Sequence, residues 1–317
     1  MHLCKTKKST CSDPACRLSA IRSFLKTHRK SESGDVWGPD SGSPNFELGR
    51  TGVLIHMKKS NQLLAAVASA GMALGVLSGV ARAEDPPAFA YTWTITGASD
   101  YLFRGISFTS NDPTVNSYLE FTYGIAYMGL WTSNIDTGDC DGCLGPWEQD
   151  IYLGIRPVTG PINWDMGLLY YYYRVKGPTL DETDLDYLEF KIAATTSPIT
   201  NLTLGATVYY QPDQDIAAAQ NVSVEGTAAY ALPQVGIFTP TVSGLIGFSN
   251  SDTSSFYPTG YWLGDDKYTY WNAGVKFAVE KFSFDFRYWD TNLEAADPTN
   301  NNLADSRFLF TAAVTLP

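Results

Sequence analysis

Histidine is missing from most of this sequence: the three in the chain, His2, His28 and His56, all fall within its first 56 residues. Cysteine is nearly as sparse, with Cys4, Cys11 and Cys16 in the same stretch and only Cys140 and Cys143 beyond it. Without histidine, the rest of the chain cannot run Ser-His hydrolysis or build imidazole metal sites. Charge is scarce too, at 17% of residues against 14% aromatic, a balance too rich in rings for a disordered chain. Long apolar runs are rarer still. There is one, Leu63 to Val80, where a helical membrane protein needs several spans of about 20 residues.

That one run belongs to a leader. From Met57 the sequence reads MKKSNQLLAAVASAGMALGVLSGVARAEDPP, with Lys58 and Lys59 ahead of the apolar stretch and Ala81-Arg82-Ala83 as a small-x-small cleavage site. A membrane anchor is the competing reading. The stretch is rich in Ala, Gly and Ser and has no basic stop-transfer cluster after it, so cleavage after Ala83 is expected. Residues 57–83 are therefore read as a signal peptide and residues 1–56 as a non-native or disordered extension, with Met57 the initiator. The spacings of Cys4, Cys11 and Cys16 fit no zinc pattern.

Residues 84–317 then form the mature chain, with 28 acids and 10 bases, a net charge of −18. So acidic a chain is a poor partner for nucleic acid. Its dominant pattern is period-2 alternation broken by Gly, Pro, Asn and Asp, in twelve segments near 89–105, 114–123, 125–136, 147–157, 162–175, 185–196, 202–211, 221–232, 238–249, 267–279, 281–291 and 305–316. Connections alternate between short (around Gly124, 158–161, 197–201, 233–237, Glu280) and long, polar and acidic, as in DTGDCDGCLGP (136–146) and SDTSSFYPTGYWLGDD (251–266).

An even strand count with one trimmed and one elaborate rim predicts an all-β fold, a closed antiparallel up-and-down transmembrane β-barrel of about twelve strands in the bacterial outer membrane. A soluble sandwich also alternates, but the aromatics Tyr91, Trp93, Tyr127, Trp131, Trp164, Tyr170, Tyr172, Trp271 and Tyr288 recur near strand ends, as membrane-interface girdles require. Strand charges fall on the other face, predicted to line a pore: Asp100, Glu120, Glu148, Asp150, Asp165, Glu189, Glu225 and Asp285, with Arg104, Arg156, Lys191, Lys276, Arg287 and Arg307. Asp100 and Arg104, four apart on one strand face and about 13 Å from each other, are each expected to pair with a neighbouring strand, and Gly105 to bend the chain at the rim.

The segment ASDYLFRGISFT (98–109), followed by an Asn-Asp-Pro turn, resembles the opening of the TorF-type porins, a proteobacterial family of about this length. The likeness is carried by Ser99-Asp100-Tyr101 and Arg104-Gly105-Ile106-Ser107. It implies an outer-membrane barrel of porin character and no particular substrate. The alternating apolar series Phe308 to Leu316 resembles the C-terminal signal read by the outer-membrane assembly machinery, except that Pro317 stands where an aromatic is usual.

Cys140 and Cys143 are expected to staple their loop as a disulfide. A redox C-x-x-C lacks its helical unit here, and Asp139 and Asp141 make only a fragment of a divalent-ion loop. No cofactor, metal site or catalytic set is implied, because acids spread over a polar lumen are usually solvated or ion-paired. The expected function is passive diffusion of small hydrophilic solutes, with membrane lipids and lipopolysaccharide as surroundings. Eight luminal acids against six bases suggest a weak preference for cations. The alternative is a non-conducting structural or adhesive barrel whose lumen is closed by ion pairs.

Overall fold

The computed structural model describes residues 89–136, 144–175, 185–293 and 302–317. The extension, the leader and the Cys140–Cys143 loop lie outside them. Twelve strands form the wall: β1 Ala90–Ala98, β2 Thr114–Tyr123, β3 Ala126–Asn134, β4 Leu144–Ile155, β5 Ile162–Val175, β6 Tyr187–Ile199, β7 Leu202–Gln211, β8 Asn221–Ala231, β9 Thr239–Ser251, β10 Lys267–Val279, β11 Phe282–Thr291 and β12 Arg307–Leu316. Every strand pairs antiparallel with its sequence neighbour. β1 also pairs with β12, from Trp93 opposite Leu316 to Ala98 opposite Thr311, so the sheet closes on itself and leaves no edge.

The turns that close the short-connection rim use the residues the sequence offers. Gly124, Gly160 and Gly236 have positive φ, as do Asn201 and Glu280. Along the strands, burial alternates with the pleat. The outer face carries Ile192, Val208, Val224, Ile246 (61% exposed) and Phe286. Exposed apolar surface on this scale suits hydrocarbon, not water.

Inside, polar residues share the wall with large rings. Room for one of them comes from glycine: a Cβ on Gly154 or Gly167 would stand 2.6 Å from Tyr127, whose ring lies flat across β4 and β5. Tyr127 and Trp131 are only 6% and 2% exposed, so both face the interior and do not join an outer girdle as expected. Their positions match the pleat parity of the inward-facing Ser133, and parity outweighs nearness to a strand end.

A larger correction concerns the first segment, expected as one strand over 89–105. β1 stops at Ala98. Residues 99–109 leave the wall and turn into the lumen as a small hairpin, with Leu102–Phe103 paired against Ile106–Ser107. Asp100 causes the turn: its Oδ1 accepts hydrogen bonds from the Ser107 and Thr109 hydroxyls at 2.7 and 2.8 Å, drawing the chain back on itself. Arg104 and Gly105 make the reversal with φ of 51° and 87°. Gly105 thus turns inside the barrel and not at the rim, where a Cβ would meet Thr291 Cγ2 at 2.5 Å.

The outward assignment is open to direct test. Ile246→Arg is expected to lower the stability of the refolded barrel in lipid by about 2–4 kcal/mol, the cost of a cation near the bilayer midplane. The inward Thr207→Arg should cost much less by the same urea titration.

Candidate functional site

Rings from the wall meet the hairpin in the half of the lumen nearest the long connections. Tyr101, Leu102, Phe103 and Ile106 of the hairpin are 3–8% exposed and join one buried cluster with Trp131, Tyr171, Tyr173, Tyr187, Tyr268, Tyr270 and Trp289. Trp262, from the connection between β9 and β10, packs 6.2 Å from Phe103 and 5.5 Å from Tyr268. Four apolar side chains enclosed in this way are worth roughly 1.5–3 kcal/mol each as burial.

Two ion pairs fasten the hairpin. Arg104 Nη2 meets Glu189 Oε1 of β6 at 2.7 Å, with the two side chains 4% and 0% exposed. The Glu189 Oε2 accepts from the Tyr171 hydroxyl at 3.0 Å, and the Tyr268 hydroxyl donates to the Arg104 carbonyl at 3.1 Å. The guanidinium also lies 4.6 Å from the Tyr209 ring centre, 4.7 Å from Phe103 and 5.9 Å from Trp262. Burial acts to lower the pKa of Arg104, but the Glu189 carboxylate and the surrounding tyrosines Tyr270, Tyr171 and Tyr209 together more than offset it, so the guanidinium stays charged. The second pair joins Asp100 Oδ2 to Arg307 Nη1 of β12 at 2.7 Å, and Arg307 also bonds Asn111 and the Asn302 carbonyl. Each member of the 98–109 segment's charged couple therefore reaches a different wall strand, although the two share no strand face.

The remaining sequence-derived charges separate by depth. Glu148 and Asp150 of β4 are fully buried near the hairpin, where Glu148 accepts from Tyr101 and Tyr173 at 3.1 and 2.9 Å and Asp150 from Tyr152 at 2.7 Å. Glu225 of β8 accepts from Tyr270 at 2.8 Å. Toward the short turns, Arg156 grips Glu120 with two bonds of 2.7 and 2.8 Å above the Tyr127 ring, and Lys191 meets Asp165 at 2.8 Å. Opposite in strand order, Arg287 binds Asp285 at 3.0 Å and also Asn272 and Ser243, with Lys276 beside them on β10. Arg156 is 40% exposed and Asp165 24%, so this inner half holds open surface that the hairpin's half lacks.

A family model described as a bacterial protein of unknown function, Gcw_chp, matches residues 81–316. The chain belongs to the Gcw_chp family. No curated protein matches its sequence. Among solved structures the Gcw_chp barrel is similar to the NanC porin (TM-score 0.48, 9% identity, 71% of this chain and 99% of that chain). It is also similar to LpxR from Salmonella typhimurium (0.39, 8%, 71% and 99%) and to the outer membrane protein OpdK from Pseudomonas aeruginosa (0.35, 10%, 65% and 58%). The barrel assignment itself rests on the closed strand order described above.

The aromatic lining of this Gcw_chp barrel is only faintly marked in the sequence. Part of it is visible in the run Tyr170 to Tyr173, where parity with Asp165 points Tyr171 and Tyr173 inward. Trp262 carries no such mark, since it sits in a long connection with no pleat to orient it.

Breaking one partner of a buried ion pair leaves an uncompensated charge, whereas removing both does not. Glu189→Met is therefore expected to cost about 3–5 kcal/mol in equilibrium unfolding. The double variant Arg104→Met/Glu189→Met should recover most of that loss, and strictly additive costs would contradict the pairing.

Proposed function

We propose that this Gcw_chp protein is an outer-membrane channel for small hydrophilic solutes, exported behind a leader cut after Ala83 and closed in the described conformation by the 99–109 hairpin. One observation carries the reading: the segment that fills the space between the wall's rings is a connection, the 99–109 hairpin, and not a strand of the wall. A connection can move without breaking a single bond of the closed ladder. The charged, partly exposed inner half supports it as well, because a barrel serving only as a scaffold has no need of solvated ion pairs below its plug. The likeness of residues 98–109 to the TorF-type opening is in keeping with porin character. With no histidine in the mature chain, the reading is non-enzymatic.

Selectivity follows from depth. In the inner half, Arg156, Lys191 and Arg287 are each held by a carboxylate, so their charges largely cancel. When the hairpin leaves, Arg104 and Asp100 go with it, and the four acids Glu148, Asp150, Glu189 and Glu225 face the lumen against the one released wall cation, Arg307. The open state then favours cations, and the acidic outer connections add to the effect.

The second reading, a permanently closed structural or adhesive barrel, is favoured by the depth at which the hairpin is buried. Planar-bilayer recording and liposome swelling with graded sugars separate the two. Wild-type protein should conduct little or intermittently, and a variant with residues 100–108 replaced by a short Gly-Ser turn should conduct steadily with a preference for potassium over chloride. A folded variant that passes neither ions nor sugars, or that selects chloride, would overturn the channel reading.

A further inference from the structure

The chamber that holds Arg104 has the chemistry of a ligand site. The wall contributes the Glu189 carboxylate, the Tyr209 face and, within electrostatic reach, Glu225, and the connection between β9 and β10 contributes Trp262. A carboxylate in line with aromatic faces is how proteins bind guanidinium and organic ammonium groups. Phe103, the remaining ring against the guanidinium, belongs to the hairpin and leaves with it.

Two further facts bear on occupancy. Arg104 Nη1 is buried with no hydrogen-bond partner, so the tether does not let the guanidinium satisfy its chamber. Glu189 has no exposed surface, and the cation facing it is Arg104. Moving Arg104 out with nothing in its place strands a buried carboxylate, which opposes opening. Moving it out while another cation moves in does not. Ligand entry and hairpin release are thereby linked, since a solute that binds only the vacated chamber draws the barrel toward its open state.

We propose that the Arg104 chamber is a recognition site for solutes bearing a guanidinium or organic ammonium group, with Arg104 as its built-in occupant and such solutes as its competitors. The proposal deepens the channel reading by naming a solute class, and it rests on that reading only for the consequence, not for the binding. A free cation of this kind is not held by a backbone and can turn to satisfy all its donors, as the tethered guanidinium with its unpaired Nη1 does not. Sodium, small and strongly hydrated, gains little from the rings.

The test uses the full mature barrel in detergent with methylguanidinium chloride as probe and sodium chloride at equal ionic strength as control. Arg104→Ala vacates the chamber. Its tryptophan fluorescence should change saturably with millimolar methylguanidinium and its melting temperature should rise, and adding Glu189→Gln should weaken the response at least tenfold. Wild-type protein, whose chamber is filled, should need a higher concentration, and there the probe should open residues 101–103 to chymotrypsin while sodium does not. No saturable response in Arg104→Ala beyond sodium, or one unchanged by Glu189→Gln, would overturn the proposal. If Arg104→Ala does not fold, the wild-type digestion decides, and protection unaltered by the probe overturns it. A barrel that binds the probe and never conducts would sink the channel reading alone, and one that conducts without binding would sink only this one.

Discussion

In hydrocarbon an unpaired peptide N–H or C=O costs several kcal/mol, so a chain that crosses the bilayer as strands must close its ladder. The pairing of β1 with both β2 and β12 does this, and much else depends on it. Closure makes pleat parity decisive, because each side chain faces either the apolar exterior or the lumen. Closure also keeps the lumen of twelve strands narrow enough for side chains and a short hairpin to fill it. A wall so committed cannot flex to open a path without losing bonds. Conformational freedom is left to the connections.

The hairpin uses that freedom. Asp100 folds it by gathering Ser107 and Thr109, Arg307 holds its base, and Arg104 carries its tip to Glu189 across the lumen. Apolar burial supplies most of the gain through Tyr101, Leu102, Phe103 and Ile106, while the ion pair sets where the tip docks. The proposed channel requires this element to have two positions, in and out.

Much of the barrel is legible in the residues. Alternation marks all twelve strands, connection lengths separate the two rims, and parity turns the strand charges inward. Where the reading fails, one signal is shared by two structures. Tyr101 and Phe103 continue the odd-numbered series of Tyr91, Trp93 and Ile95, so the hairpin looks like more strand. Only Leu102, apolar on the wrong parity, and Gly105 break the pattern. Pleat parity says that Asp100 and Arg104 lie off the lipid face, but not that they reach the lumen on a folded-back loop. Trp131 and Tyr127 mislead in the opposite way, since a ring near a strand end serves a girdle or a core equally well. The cage around Arg104 joins residues far apart in sequence, Arg104, Glu189, Tyr209 and Trp262, and only the closed sheet brings them together.

The central claim is that the 99–109 hairpin lies inside the barrel in the resting protein. The most direct measurement is labelling of a single cysteine, Ile106→Cys, by a membrane-impermeant maleimide in intact outer membranes, on a background with Cys140 and Cys143 changed to Ser. Asp213→Cys, in the exposed connection after β7, serves as the reference. The account predicts that position 106 is labelled far more slowly than position 213 until the barrel is unfolded. Equal rates at the two positions would place the hairpin outside the lumen and contradict it.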